Sequence, residues 1–186
     1  MLVRATSRIS IMVIGLIGGW SSALYSIDAI GSSSVSDASS WRKWDLAPGR
    51  SSNPYALAHF LLDGKIPPAQ SLFRIYSNGR DGEGSRLSSS CVYSVSMADV
   101  GSRWWSLSVT PSEAPEADSS SVLSSDDVVR ASDGSLILTI SDHPIPGNWI
   151  RPATSGSFDI QLLISNDGSS DATGDPVMPA VQRVGC

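Results

Sequence analysis

Apolar residues occur along the chain in two ways, first as one long run near the N-terminus and then as short runs that alternate with polar residues. The long run extends from Ile9 to Ile30 and meets no charge before Asp28. It is on the order of 20 residues long, which is enough for a helix to cross the hydrocarbon core of a bilayer. Arg4 and Arg8 precede it, so the positive-inside rule predicts a cytoplasmic N-terminus and export of everything that follows.

The same run also fits a cleaved signal peptide, because Ser21 and Ala23 form an acceptable cleavage site after a short apolar stretch. Apolar character continues past Ala23 as far as Ile27, which favours a retained anchor. Both alternatives export the rest of the chain. Residues 31–40, GSSSVSDASS, predict a flexible tether.

A short helix is predicted at the start of the folded part. Residues 54–63, PYALAHFLLD, follow Asn53 as a potential N-cap, place Pro at the first helical position and end before a glycine. The apolar positions at helical spacing, on which we expect the helix to pack, are Tyr55, Ala58, Leu61 and Leu62.

Runs with period-two alternation and many β-branched or aromatic residues predict five or six strands after this helix. They lie at 71–77, 91–97, 103–110, 135–141 and 157–165, with a last apolar piece at 176–184. The run SVLSSDDVVR from Ser121 is left unassigned. The predicted fold class is mainly β: an antiparallel β-sandwich or jelly-roll-like domain with one short helix, preceded by a single N-terminal transmembrane helix.

Length and composition support one folded domain. The chain has 186 residues, of which 41% are hydrophobic, so a fully disordered chain is excluded. We expect a membrane segment at 1–30, the tether at 31–40 and the domain at 41–186. The formal net charge of −5 offers no broad basic surface, so nucleic acid is not an expected partner.

The two cysteines, Cys91 and Cys186, would lie in an oxidising compartment if the domain is exported. A disulfide between them is permitted, and a buried free Cys91 is the alternative. Their spacing does not match the paired cysteine and histidine motifs of zinc or redox sites.

Five segments, in this order, resemble a known bacterial family. They are NPYALAHFLLDGKIP from Asn53, the C-x-Y of Cys91 to Tyr93, RWWSL from Arg103, DGSLILTIS from Asp133 and PGNWIRP from Pro146. Together they resemble the domain-of-unknown-function 1214 family of exported or membrane proteins, over about residues 41–184.

The resemblance implies a jelly-roll-like β-sandwich. Because the export argument and the family agree, we expect a single-pass inner-membrane protein anchored through residues 9–30, with its domain in the periplasm. In this family the domain is also found fused behind a domain-of-unknown-function 1254 unit. The resemblance therefore implies that the partner is an envelope protein, for which a separate protein of the domain-of-unknown-function 1254 family is the candidate. The family brings no established catalytic residues or cofactor.

Candidate catalytic residues are few. His143 is the only histidine worth testing as an acid or base, since it follows Asp142 in a loop, but a nucleophile elbow of the form G-x-S-x-G is absent. We expect His143 to be a loop residue and His59 a partly buried helix residue. Weak calcium candidates occur in two acidic turns, Asp81 and Glu83 in the first and Asp167 and Asp171 in the second, with solvated hairpin tips as the alternative.

The aromatic residues are the most distinctive feature, and those proposed for binding are Trp104, Trp105, Trp149 and Tyr76. Alternation places one of Trp104 and Trp105 in the core and the other on the opposite face of the sheet. The outward ring either forms a docking platform for a partner or ligand, or is buried by residues 41–60 folding back over that face. We favour the second alternative.

Two functions follow from these observations. The first is a noncatalytic, membrane-tethered binding or assembly module for another envelope protein. The alternative is an envelope enzyme or carbohydrate-binding domain that acts on a glycan or small amphiphile through a cleft in the sandwich.

Overall fold

The computed structural model describes residues 2–35, 39–44, 53–62, 66, 72–112, 121–152, 156–166 and 175–186. These residues form two helices and ten strands. In chain order the elements are α1 (Leu2–Gly31), β1 (Ser32–Ser34), β2 (Arg42–Trp44), α2 (Pro54–Leu62), β3 (Phe73–Asn78), β4 (Val92–Met97), β5 (Trp105–Pro111), β6 (Ser121–Ser124), β7 (Leu136–Ile140), β8 (Asn148–Ile150), β9 (Phe158–Ser165) and β10 (Ala180–Gly185).

Helix α1 is the element that the long apolar run predicts. Its segment Arg8–Gly31 is long and apolar enough to cross a membrane, and its most apolar stretch is not covered by the rest of the protein. Length and composition therefore permit one membrane span.

Two sheets build the folded part of the chain. The larger has the strand order β1-β2-β3-β9-β5-β6 and the smaller the order β10-β4-β7-β8. Among the described strands every pair is antiparallel except β7 with β8. Side chains from both sheets meet in one buried core, so the predicted β-sandwich is confirmed.

Strand β9 shows how alternation builds this core. Its buried residues Phe158, Ile160, Leu162 and Ile164 are at most 1% exposed, and the residues between them are only partly buried. Successive side chains of a strand point to opposite faces, so one face of β9 enters the core along its whole length. Burying each such side chain contributes roughly 1.5–3 kcal/mol to stability.

The outer face of the six-stranded sheet has a second, smaller core. Trp44 from β2, Ala56 and Phe60 from α2, and Ile75 from β3 form a buried cluster, against which Leu163 of β9 packs. Residues within 41–60 therefore fold back over part of this face. That they also cover the outward ring of Trp104, as the sequence analysis favoured, stays a prediction, because Trp104 is half-buried and is not a member of this cluster.

The extent of α2 was predicted correctly, and Asn53 caps it by accepting a hydrogen bond from the Tyr55 N–H at 3.0 Å. Its buried face was predicted wrongly: Ala56 and Phe60 are buried, whereas Tyr55 is 38% exposed. Leu61 and Leu62 are also exposed. The reason is that α2 is apolar on all sides, so periodicity cannot select the face that packs.

The predicted tether contains regular structure. Ser32–Ser34 forms an edge strand that pairs with Arg42–Trp44, so the expectation of an irregular segment was wrong for these three serines. Backbone hydrogen bonding to β2 creates this strand, and a run of serines carries no alternating pattern that could reveal it. The division of the chain into domains stays a prediction.

A disulfide joins Cys91, just before β4, to Cys186, just after β10. The alternative of a free, buried Cys91 is therefore not realised. The bridge reinforces the antiparallel pairing of β10 with β4, which brings the C-terminal strand to the edge of the smaller sheet.

Candidate functional site

A polar cavity of about 320 Å³ lies on the outer face of the six-stranded sheet, beside the area that α2 covers. Its floor comes from the sheet, where Ser77 of β3 pairs with Gln161 of β9 and Gln161 pairs with Ser108 of β5. The preceding residue Tyr76 and the following residue Leu162 point into the main core, so Ser77 and Gln161 point outward.

One wall of the cavity is an aromatic pair. The Trp44 and His59 rings are stacked with their centroids 3.8 Å apart and their planes 9° from parallel. The Trp44 Nε1–H donates to Ser77 Oγ at 2.9 Å, and the edge of Phe60 meets the Trp44 ring. This pair fixes the C-terminal half of α2 against the sheet and separates the polar cavity from the apolar cluster.

The lining of the cavity is also rich in guanidinium groups. Arg42, Arg80 and Arg86 line it, with Asp159 as the one carboxylate among the described lining residues. Arg80 Nη1 donates to the Gly84 carbonyl at 2.7 Å, and Arg86 Nη2 lies 3.5 Å from Asp159 Oδ1.

Gly79 makes this arrangement possible. A Cβ at this position would stand 2.2 Å from Asp159 Oδ1 and 2.6 Å from Arg86 Nη1. The absence of a side chain lets the Arg86 and Asp159 side chains cross directly over the backbone that forms the rim of the cavity.

A larger cavity of about 650 Å³ lies beside Trp41 and the segment that leads into β10. Trp41 Nε1 donates to the Pro179 carbonyl at 2.8 Å, while Lys43 Nζ and the Tyr76 hydroxyl both donate to Asp175 Oδ1, at 2.7 and 2.9 Å. Burial opposes ionisation of Asp175, but the hydrogen bonds from Lys43 and Tyr76 outweigh it and lower the pKa of Asp175. These contacts tie β2 and β3 to the C-terminal segment.

The four aromatic residues proposed for binding fall in different environments. Tyr76 and Trp105 are at most 1% exposed and serve the main core, which corrects the expectation for these two rings. Burial, followed by the hydrogen bond to Asp175, raises the pKa of Tyr76 far above its ordinary range. Trp104 is half-buried on the outer face, where its ring meets the edge of Phe73, and Trp149 is half-buried with its Nε1–H bonded to the Ser141 carbonyl.

The two histidines have the environments expected of them. His143 is exposed in the loop between β7 and β8, where its backbone N–H donates to Ser141 Oγ at 3.2 Å. His59 is partly buried on α2. As a catalytic candidate His143 stays untested.

Of the weak calcium candidates, Asp81 is buried and Glu83 is exposed, whereas Asp167 and Asp171 lie outside the described residues. Asp81 accepts hydrogen bonds from the Glu83 and Ser85 backbone N–H groups and pairs with Arg183 of β10. Within the described part of the chain, three or more His, Cys, Asp or Glu residues nowhere cluster as a metal site would require. Asp81 thus holds a turn and attaches it to β10.

Asp81→Asn is expected to destabilise the protein at neutral pH and to have progressively less effect in acid. Burial opposes ionisation, but hydrogen bonds from Ser85 and Arg183 outweigh it and lower the pKa of Asp81 below its usual value of 3.8. Stability from this carboxylate is therefore fully present above pH 3.8 and is lost as the pH falls through the lower folded-state pKa.

Urea unfolding of the full-length protein in mild detergent at pH 7 and at pH 3 measures this. Asp99→Asn, at an exposed aspartate, is the control and should change little at either pH. An equal loss for Asp81→Asn at both pH values would show that the charge of Asp81 contributes nothing.

The fold and the cavity together define a β-sandwich protein whose outer sheet face is covered in part by a helix and in part open as a polar pocket. The family described as Protein of unknown function (DUF1214) matches residues 74–166, half of the chain. The chain therefore belongs to this family, which confirms the sequence resemblance. Curated proteins yielded no match.

The solved structures similar to this chain include two bacterial proteins. The VPA0106 protein from Vibrio parahaemolyticus matches with a TM-score of 0.57 and 13% identity, over 96% of this chain and 45% of its own. An uncharacterised protein from Burkholderia cenocepacia matches with a TM-score of 0.42 and 15% identity, over 60% of this chain and 29% of its own. This chain thus spans less than half the length of either protein, and the first match supports the fold alone.

Sequence analysis did not identify the cavity. Its charged residues Arg42, Arg80 and Arg86 come from β2 and from the loop between β3 and β4, and alone each resembles an ordinary surface arginine. The one sequence feature that could have indicated the cavity is NGRDGEG at 78–84, a charged, glycine-rich turn directly after a strand.

Proposed function

We propose that this protein is a noncatalytic, membrane-anchored module that assembles with another cell-envelope protein. The observation that carries the proposal is the outer face of α2, which is apolar although it is exposed. Leu57 is 42% exposed, Leu61 64% and Leu62 58%. A helix at the surface of a soluble domain normally presents polar residues to water, so an apolar outer face favours a covering partner.

The position of α2 supports a partner at the membrane. Gly31, the last residue of α1, is buried, and a Cβ there would stand 3.1 Å from the Ala56 nitrogen and 3.1 Å from the Tyr55 carbonyl carbon. Asn53 Nδ2 also donates to the Ile30 carbonyl at 2.7 Å. The start of α2 is therefore fixed to the end of the proposed membrane span. In this proposal, that contact brings the apolar face of α2 close to the bilayer surface.

The disulfide supports export. Disulfides persist in oxidising compartments such as the periplasm, and Cys91–Cys186 joins two elements of the folded domain. With the arginines before the apolar run, this favours an inner-membrane anchor with a cytoplasmic N-terminus.

The occupant of the α2 face is, in this proposal, an apolar segment of a second envelope protein. More than half of the VPA0106 chain lies outside its match to this protein, so the same fold there is part of a longer polypeptide. A separate protein, of the domain-of-unknown-function 1254 family that the sequence resemblance implies, would take the corresponding place beside this chain.

Site-specific photo-cross-linking in native membranes tests the proposal. A photoreactive amino acid in place of Leu61 is expected to yield one discrete protein adduct, and the same protein should copurify in a fixed ratio with the full chain. Leu57→Ser/Leu61→Ser should abolish copurification. The matched control is the photoreactive residue at Ile137, an equally exposed apolar position on β7, which should give no such adduct.

Adducts from position 61 to lipid alone would overturn the assembly role and leave only a membrane contact. Adducts of the same pattern from positions 61 and 137 would mean that the α2 face has no specific partner.

One observation favours the alternative, a ligand-binding role as an envelope enzyme or carbohydrate-binding domain. The polar cavity beside α2 has the volume of a small-molecule site. Its aromatic wall is less suited to sugars, because His59 already stacks on a Trp44 ring that is almost fully buried.

A further inference from the structure

The polar cavity beside α2 has a lining suited to one class of ligand. We propose that it binds a phosphate group, carried either by a free phosphate compound or by the headgroup of an anionic lipid.

Charge is the first argument. The described lining residues include three guanidinium groups, of Arg42, Arg80 and Arg86, against the single carboxylate of Asp159. The Arg80 guanidinium donates to the neutral Gly84 carbonyl, a contact that leaves its positive charge uncompensated. In a chain whose formal net charge is −5, this is a local concentration of positive charge in a concave site.

Geometry of the donors is the second argument. Guanidinium groups donate N–H bonds in a planar fork that matches the oxygens of a phosphate. Neutral polar side chains line the same cavity, namely those of Ser77, Thr110 and Gln161. The Ser77 hydroxyl accepts a hydrogen bond from Trp44, which uses its oxygen and not its hydrogen.

The third argument is an unsatisfied group. Ser112 is one of the lining residues, its hydroxyl oxygen is buried, and within the described part of the chain this oxygen has no hydrogen-bond partner. A buried hydroxyl without a partner costs on the order of 1–3 kcal/mol, so such groups in folded proteins normally have a partner that remains to be identified. A phosphate oxygen would supply the missing acceptor.

The volume limits the size of the ligand. About 320 Å³ is at the lower end of small-molecule sites, enough for a phosphate with a small attached group and too small for a polymer. The stacked Trp44 and His59 rings close one side and would contact the attached group. Helix α2, which carries His59, starts beside the C-terminal end of α1 in space. The phosphate could therefore come from a lipid headgroup as well as from a free phosphate compound.

Isothermal titration of the full-length protein in mild detergent with inorganic phosphate, at constant ionic strength, tests the inference. We expect saturable binding at one site. Arg42→Gln/Arg86→Gln should weaken it by about tenfold or more, since hydrogen bonds to charged groups contribute about 1.5–3 kcal/mol. Arg103→Gln removes the same charge from an exposed position outside the cavity and should change the affinity by less than about twofold.

Ser112→Ala keeps the test decisive if the double variant fails to fold, because it deletes a hydroxyl that supports no described contact. It should weaken phosphate binding by about threefold to tenfold without loss of stability. Absence of saturable binding, or equal weakening in Arg103→Gln, would overturn the proposal.

Dihexanoyl phosphatidylglycerol identifies the source of the phosphate. Tighter binding than inorganic phosphate, with the same sensitivity to Ser112→Ala, indicates a lipid headgroup; weaker binding indicates a free phosphate compound. Dihexanoyl phosphatidylcholine, which has no net charge, is the control. None of these measurements depends on the outer face of α2, so this inference and the proposed assembly role can fail independently.

Discussion

Replacing both Cys91 and Cys186 by serine is expected to lower the free energy of unfolding by about 2–5 kcal/mol. The bridge closes a loop with a sequence separation of 95 residues, and loop-closure entropy for that length corresponds to about 4–5 kcal/mol in the chain-entropy description. Strand β10, which it holds, lies at the edge of its sheet and buries only Val181. Besides the bridge, β10 is held by its backbone pairing with β4 and by the contact of Arg183 with Asp81.

Urea unfolding of the full-length protein in mild detergent measures this loss. Reductant should lower the unfolding midpoint of the natural protein to that of the Cys91→Ser/Cys186→Ser variant, and the variant itself should not respond to reductant. Amide hydrogen exchange should accelerate first in β10, while β9 in the centre of the other sheet stays protected. An unfolding midpoint that reductant leaves unchanged would contradict the prediction.

Trp44→Ala is expected to cost about 3–5 kcal/mol, as for other large buried aromatic residues. Trp44 is only 4% exposed, stacks on His59, meets the edge of Phe60 and donates a hydrogen bond to Ser77. Without its ring, α2 loses most of its attachment to the sheet. We therefore expect α2 to detach before the main sandwich unfolds.

Two variants serve as controls for Trp44→Ala. Trp44→Phe keeps an aromatic ring but removes the Nε1 donor, so it should cost less, about 1–2 kcal/mol. Trp104→Ala removes a half-buried tryptophan from the same sheet face and should cost about 1 kcal/mol, with hydrogen exchange in α2 unchanged. Equal losses for Trp44→Ala and Trp104→Ala would show that the cluster under α2 does not hold the helix.

The sequence predicted most strands because their cause is local. In β9, each buried residue alternates with a partly buried one, and this period of two is written in the order of residues from Phe158 to Ser165. The limits of α2 were likewise predictable from its cap and its first proline. The three-residue strands β1, β2 and β8 were not assigned, because such short strands form through pairing with other strands and carry too little alternation of their own.

By itself, the sequence determined the apolar helix α1, the limits of α2, the alternating strands and the β-sandwich class, since each depends on the spacing of neighbouring residues. Only the tertiary structure decided that Ala56 and Phe60 form the packed face of α2, that Cys91 bonds to Cys186, and that Arg42, Arg80 and Arg86 share one cavity. The physical reason is register. The pairing of β3 with β9 and of β2 with β3 sets which outward side chains meet, and those pairings join residues far apart in the chain.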